Sequence, residues 1–119
     1  CTACVVGRGG SAGRGELELD DRRRQLNKRT RVVSLVHISN TLGCRNPVEE
    51  IAALAHGVGA LMLVDACQSL AHQSTDVQRL GADFLVGSSH KLCGPTGMGF
   101  LWARKSCSRP CLRFWEVEK

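Results

Sequence analysis

The run Ser88-Ser-His-Lys91, followed by the turn Gly94-Pro-Thr-Gly97, gathers two hydroxyls, an imidazole and an amine within four positions. Hydroxyls and imidazoles can hold a phosphate, and glycines let the backbone approach one closely. A lysine amine partly withdrawn from water is also the group that Schiff-base chemistry requires. Upstream, Asp65 follows the uninterrupted apolar run Ala60-Leu-Met-Leu-Val64. A carboxylate at the mouth of a buried strand needs a cationic or hydrogen-bonding partner, because desolvating it alone is costly. Taken singly, Asp65 reads as a cap or a core-edge hydrogen bond, and Lys91 as a solvated charge. Taken together, they point to an anionic cofactor.

Elements suited to positioning these groups follow from the apolar pattern. Residues 31–38 form a β-branched run of strand length, and 60–64 read as a strand buried on both faces. Further strands are expected at 83–87 and 98–103. Pro47 with Glu49 and Glu50 behind it favours a helix start, since proline suits the first turn and acids suit its dipole. Ile51, Leu54, Ala55 and Val58 then recur at helical spacing until Gly57 and Gly59 end the element. A short helix at 20–27 and a helical turn at 75–80 complete the set, and residues 1–15 read as irregular. Alternating strands and helices specify an α/β sheet with right-handed crossovers. Ligands of such sheets gather beyond the carboxyl ends of the strands. Residues 37–40, 65–68 and 88–91 each follow a strand directly, so three strand ends aim polar groups at one rim.

Composition removes several other classes. No apolar run approaches the roughly 20 residues that span a bilayer. The net charge of +5 gathers in clusters at 22–24, 28–31 and 104–113. The few aromatics, two Trp and three Phe, do not alternate with those clusters, so the basic residues read as a solvated face without a base-stacking platform. The seven cysteines are Cys1, Cys4, Cys44, Cys67, Cys93, Cys107 and Cys111. An odd count without a signal peptide argues for reduced thiols in an intracellular compartment. The pairs Cys1/Cys4 and Cys107/Cys111 sit at opposite ends and no His has ligand spacing to either, so no metal site is expected. At 119 residues the chain is short for a two-domain enzyme, and its first residue is Cys; a preceding segment is expected.

Val64-Asp-Ala-Cys-Gln-Ser69, Asp76-Val-Gln-Arg-Leu-Gly-Ala-Asp-Phe84 and Ser88-Ser-His-Lys-Leu-Cys-Gly-Pro-Thr-Gly97 form an ordered set of motifs. His37-Ile-Ser-Asn-Thr-Leu-Gly43 and Asn46-Pro-Val-Glu-Glu-Ile51 extend it. Together they resemble the class V aminotransferase family, and within it the NifS-like cysteine desulfurases, the plant chloroplast form above all. The resemblance covers residues 15–103.

It implies part of the large domain of a fold-type I pyridoxal-phosphate enzyme, a mostly parallel sheet with flanking helices. By position it makes Lys91 the Schiff-base lysine and proton-transfer base. Asp65 would pair with the pyridine nitrogen and Gln68 with the ring's phenolic oxygen. Ser88 and His90 would contact the phosphate, and Asn40 would lie near the cofactor oxygen and the substrate carboxylate. Cys67 would pack against one ring face as a small hydrophobe. The implied activity takes L-cysteine or selenocysteine and leaves alanine and an enzyme persulfide, for iron–sulfur cluster assembly. It also implies a sulfur-acceptor protein, a homodimeric parent and a plastid location, with mitochondrion and cytoplasm as the other compartments. The attacking cysteine, the ring-stacking histidine, the phosphate-binding threonine segment and the carboxylate-binding arginine of that family fall outside the matched span. Selenocysteine lyase, molybdenum-cofactor sulfurase, a class V aminotransferase and a truncated non-catalytic product are the alternative readings.

The chain thus divides into an unmatched segment 1–14, a partial cofactor-binding domain 15–105 and a tail 106–119. Where the family continues Pro-Phe-Leu-Gly-Gly-Gly-Glu, this tail reads Cys107-Ser-Arg-Pro-Cys-Leu-Arg-Phe-Trp-Glu-Val-Glu-Lys119. A permitted coding of that tail, regrouped by one base, yields the family segment, so the tail is expected to be out of frame.

Overall fold

A computed structural model describes residues 3–5 and 19–107 of the chain. Five strands form one sheet in chain order: β1 Ala3–Val5, β2 Thr30–Val36, β3 Leu61–Asp65, β4 Phe84–Ser88 and β5 Gly99–Ala103. The first four run parallel, and β5 turns back antiparallel to β4. Helix α1 Leu19–Gln25 precedes β2, and α2 Val48–Gly57 links β2 to β3. Two short 3-10 turns, Ser69–Ala71 and Ser89–Leu92, follow β3 and β4. The four strands expected between residues 31 and 103 are therefore present within two residues of their expected ends. The short β1 corrects the irregular reading of residues 1–15: Ala3–Val5 pairs in parallel with β2. Three residues are too few to display a strand period, so only the neighbouring strand defines them. The expected out-of-frame tail lies outside the described residues except for Ser106 and Cys107.

α2 starts where Pro47 and the acidic pair place it, and ends with the Gly59 N–H donating to the His56 carbonyl at 3.0 Å. Gly59 takes φ +79°, a conformation glycine adopts without a Cβ penalty. The turn expected at 75–80 forms as one loop closed by the Leu80 N–H to the Asp76 carbonyl, at 3.0 Å. The Asp76 carboxylate accepts from the Gln78 and Arg79 amides at its start. The 3-10 turn at Ser69–Ala71 has no periodic signal of its own in the sequence.

Register decides where the core lies. Val33 pairs with Met62, Leu35 with Val64, Val64 with Leu85, and Leu85 with Trp102, so these side chains share one sheet face. Val48, Ile51 and Ala52 of α2 pack onto that face, and Leu80 and Ala82 of the β3–β4 connection join the same cluster. Met62 and Val64 are fully buried, whereas Leu61 is 36% and Leu101 61% exposed. The sequence reading of β3 as buried on both faces is thus corrected: among the described residues the Met62 and Val64 face is fully covered, and the other only in part, with Leu63 half-buried and Leu61 exposed. The apolar run is real, but the second layer it calls for is not supplied by these residues. None of the described helices is long and apolar enough to cross a membrane.

β5 is held close to β4 at two glycines, Gly87 opposite Phe100 and Gly99 opposite Ser88. The Phe100 ring lies over Gly87, where an added Cβ would meet it at 2.4 Å. At Gly99 an added Cβ would stand 2.8 Å from the Gly87 carbonyl oxygen, and backbone cannot yield as a side chain can. Gly99→Ala is therefore expected to destabilise the fold by about 1–3 kcal/mol, the usual range for overpacking. Gly57→Ala is the matched control. Its Cβ meets nothing within 4 Å, and helix propensity favours alanine by about 0.5–1 kcal/mol. Urea unfolding of the two variants should move the midpoint in opposite directions.

Candidate functional site

Beyond the carboxyl ends of β2, β3 and β4 the chain makes three polar loops. After β2 the loop folds back on itself. The Ser39 N–H donates to the Cys44 carbonyl, the Gly43 N–H to the Ser39 carbonyl, and the Leu42 N–H to Ser39 Oγ. Gly43 takes φ +69° to close this turn, which carries Asn40 at its exposed tip. After β3, the Cys67 N–H donates to Asp65 Oδ1 at 2.9 Å, which bends the chain into the Ser69–Ala71 turn. This is the local hydrogen bond a lone Asp at a strand end would make, and it fixes the carboxylate at the rim.

After β4, Ser89 ties the third loop. Its N–H and Oγ both donate to the Met98 carbonyl, at 3.1 and 2.9 Å, and Oγ also reaches the Pro95 carbonyl. The Gly94 N–H donates back to the Ser89 carbonyl, and a Cβ at Gly94 would stand 3.1 Å from that same oxygen. The sequence reading counted Ser89 among the groups able to hold a phosphate; its bonds to the Pro95 and Met98 carbonyls make it a loop clasp. Cys93 sits in this loop at φ +61°, the left-handed region where a β-carbon is penalised. Cys93→Gly is expected to stabilise the chain by about 1 kcal/mol, read as a higher melting temperature.

The loops converge on Lys91. Its Nζ donates to Asn40 Oδ1 at 2.9 Å and to Gln68 Oε1 at 2.8 Å, so one amine joins residues from all three strand ends. Asn40 lies 51 positions from Lys91 in the chain. Beside it, Ser88 Oγ and His90 Nδ1 are 2.7 Å apart. All six candidate positions therefore lie on the same rim, with Asn40, Gln68 and Lys91 in direct contact and Ser88 and His90 paired. No bond links Asp65 to Lys91 among the described residues.

Burial pushes the Cys67 thiol up, and the adjacent Asp65 carboxylate adds to the rise, against a smaller opposing pull from Lys91. A raised pKa favours the thiol over the thiolate, which suits a packing group better than a nucleophile. His37, at the start of the first loop, lies beneath the rim. It is 1% exposed, its Nδ1 has no partner among the described residues, and its Nε2 is 3.3 Å from the Gln73 amide nitrogen. Burial, aided by the Arg45 charge and opposed by Glu49, holds its pKa below the ordinary value. A polar cavity of about 350 Å³ lies here, lined by His37, Arg45, Glu49, Gln73, Asp76 and Arg79. None of the six candidate residues lines it.

One residue escaped the sequence reading. His72 Nε2 lies 3.0 Å from Gln68 Nε2, so a second imidazole touches the amide that holds Lys91. The signal available was spacing: His72 stands four positions after Gln68, within reach across one helical turn.

Chemically the rim offers an amine that can condense with a carbonyl, a carboxylate that can pair with a cationic nitrogen, and a hydroxyl–imidazole pair that can bind a phosphate. The aminotransferase class-V family model matches residues 10–114. The probable cysteine desulfurase of Synechocystis sp. is 54% identical over 88 residues, 74% of this chain and 21% of that protein. The apo structure of cysteine desulfurase from Thermococcus onnurineus superposes with a TM-score of 0.72 at 40% identity, over 78% of this chain and 23% of that one. A structure of SspA in complex with cysteine superposes with a TM-score of 0.72 at 29% identity, over 77% of this chain and 26% of its own. The chain spans about a fifth of the length of the curated relatives it matches, 21% of the Synechocystis protein.

Proposed function

The chain belongs to the aminotransferase class-V family, and from that premise we propose that it forms part of the cofactor site of a pyridoxal-phosphate-dependent cysteine desulfurase. The observation that carries this reading is the Lys91 amine held between Asn40 Oδ1 and Gln68 Oε1 at the strand-end rim. A solvated surface lysine would not be gripped from two other loops at once.

The rim residues fit pyridoxal phosphate by their chemistry. Lys91 is the amine that would hold the cofactor's aldehyde carbon, and its Nζ would take and return protons at the substrate. Asp65 would pair with the pyridine nitrogen, and the Gln68 amide would donate to the phenolic oxygen. Ser88 Oγ and His90, already paired at 2.7 Å, would hold the phosphate. Asn40 would face the cofactor oxygen and the substrate carboxylate, and Cys67 would pack as a small apolar group. Pyridoxal phosphate, when bound, supplies an electron-withdrawing ring that weakens bonds at the substrate's α and β carbons. Cysteine desulfurases among the relatives, and a similar structure described in complex with cysteine, support L-cysteine as the substrate. Delivery of the sulfur to an acceptor protein for iron–sulfur clusters, a homodimeric parent and a plastid location rest on the resemblance to the chloroplast form.

Purified chain incubated with pyridoxal phosphate and reduced with borohydride tests the site. Peptide mapping is expected to place the phosphopyridoxyl group on Lys91 well ahead of Lys28, Lys105 and Lys119. Label spread evenly over the four lysines would remove the basis for the proposal.

A further inference from the structure

Lysine at this rim imposes an order on the groups around it. An ammonium carries three donors and no acceptor, so the Gln68 atom that faces Lys91 must be the carbonyl oxygen. The other end of the Gln68 amide is therefore NH2, and it faces His72 Nε2 at 3.0 Å. A donor facing that nitrogen requires a lone pair on it. The His72 ring must then carry its proton on Nδ1 and accept at Nε2. Three contacts thus have one consistent assignment of protons, running from His72 through Gln68 to Lys91.

We infer that His72 is a positioning residue that fixes the orientation of the Gln68 amide, so that its carbonyl oxygen receives Lys91 and one of its N–H groups stays available for an acceptor on the cofactor. The amide has one oxygen and two N–H groups. Lys91 occupies the oxygen and His72 occupies one N–H, which leaves the second N–H for the phenolic oxygen assigned to Gln68 above. Without His72 the amide keeps only the Lys91 contact on its oxygen, so its NH2 end loses its anchor and the second N–H is no longer held in one direction. His72 touches neither substrate nor cofactor in this scheme, and acts only through Gln68. It is exposed, so its replacement leaves the core untouched.

The inference rests on the proposed function for the role of the free N–H, but its proton assignment stands on the geometry alone. Two readouts separate them. Long-range nitrogen–proton NMR on the full chain near neutral pH is expected to show His72 as the Nδ1–H tautomer with Nε2 unprotonated. An Nε2–H tautomer, or a ring protonated on both nitrogens, would overturn the inference. In the borohydride trap, His72→Ala is expected to lower phosphopyridoxyl-Lys91 by about three- to tenfold, the worth of one hydrogen bond. His72→Gln offers an amide oxygen in place of Nε2 and should restore labelling to within about twofold. Circular dichroism matching that of the wild type keeps both variants comparable. Equal labelling of wild type and the Ala variant would sink the positioning role. A wild-type chain that takes no label on Lys91 would defeat the proposed function, and the tautomer would then decide this inference by itself.

Discussion

Lys91→Ala and Lys91→Arg are both expected to abolish phosphopyridoxyl labelling at the rim, leaving only the slow background shared by Lys28, Lys105 and Lys119. Alanine removes the amine. Arginine keeps the positive charge and the hydrogen-bonding reach toward Asn40 and Gln68, but its guanidinium stays protonated and cannot condense with an aldehyde. The arginine variant is therefore the sharper test, because it separates charge from nucleophilicity. If Lys91 acted only as a cationic strut between the loops, Lys91→Arg would keep the fold and cofactor affinity, and labelling elsewhere would be unchanged from wild type. Mass mapping of the reduced adduct, with equilibrium dialysis of pyridoxal phosphate alongside, distinguishes the two roles. Asn40→Ala should have a smaller effect in the same direction, since Gln68 still holds the amine.

The second large effect is on stability, at the opposite end of the sheet. Asp83, 4% exposed, precedes β4 and draws together three elements. Its Oδ2 accepts from the Met62 N–H at 2.9 Å and meets His56 Nε2 of α2 at 2.8 Å. Its Oδ1 lies 3.3 Å from Arg104 Nε just past β5, and Arg104 also donates to the Ala82 carbonyl at 3.0 Å. Asp83→Ala would leave a buried amide without its acceptor and the His56 and Arg104 side chains without their shared partner. His56 and Arg104 are each about two-fifths exposed, which softens the loss. The expected cost is about 2–4 kcal/mol, a large share of a typical total near 5–15 kcal/mol. Asp83→Asn can keep an oxygen on the Met62 amide and should lose less.

The same carboxylate sets an acid limit. Burial by itself would raise its pKa, but the Met62 amide, His56 and Arg104 hold it below the ordinary value near 3.8. A group whose folded pKa is depressed contributes its stability above the unfolded pKa, and loses it as pH falls through the folded pKa. Wild-type stability should therefore drop as pH falls below about 4. The Asp83→Asn variant should show a shallower drop over the same window, in urea titrations at stepped pH.

Much of the fold could be read from local pattern. The runs at 60–64 and 98–103 are apolar and of strand length, and Pro47, Glu49 and Glu50 begin a helix by their own chemistry. The family motifs around Asp65, Gln68, Ser88, His90 and Lys91 marked the rim because they are contiguous blocks following strands. What lacked a contiguous signal was missed. β1 is three residues defined by its neighbour, and His72 is an ordinary residue until Gln68 turns toward it. The loop clasp by Ser89 depends on carbonyls six and nine positions away.

The sequence by itself determined strands β2 to β5, helix α2, the α/β class and the family, because each rests on residues close together in the chain. Only the tertiary structure decided that, among the described residues, one face of β3 is fully covered and the other only in part, because burial belongs to whichever layer packs on a strand. It alone brought Lys91 to Asn40 across 51 positions. It also fixed which atom of Gln68 that amine must face, because hydrogen-bond direction is set by neighbours in space.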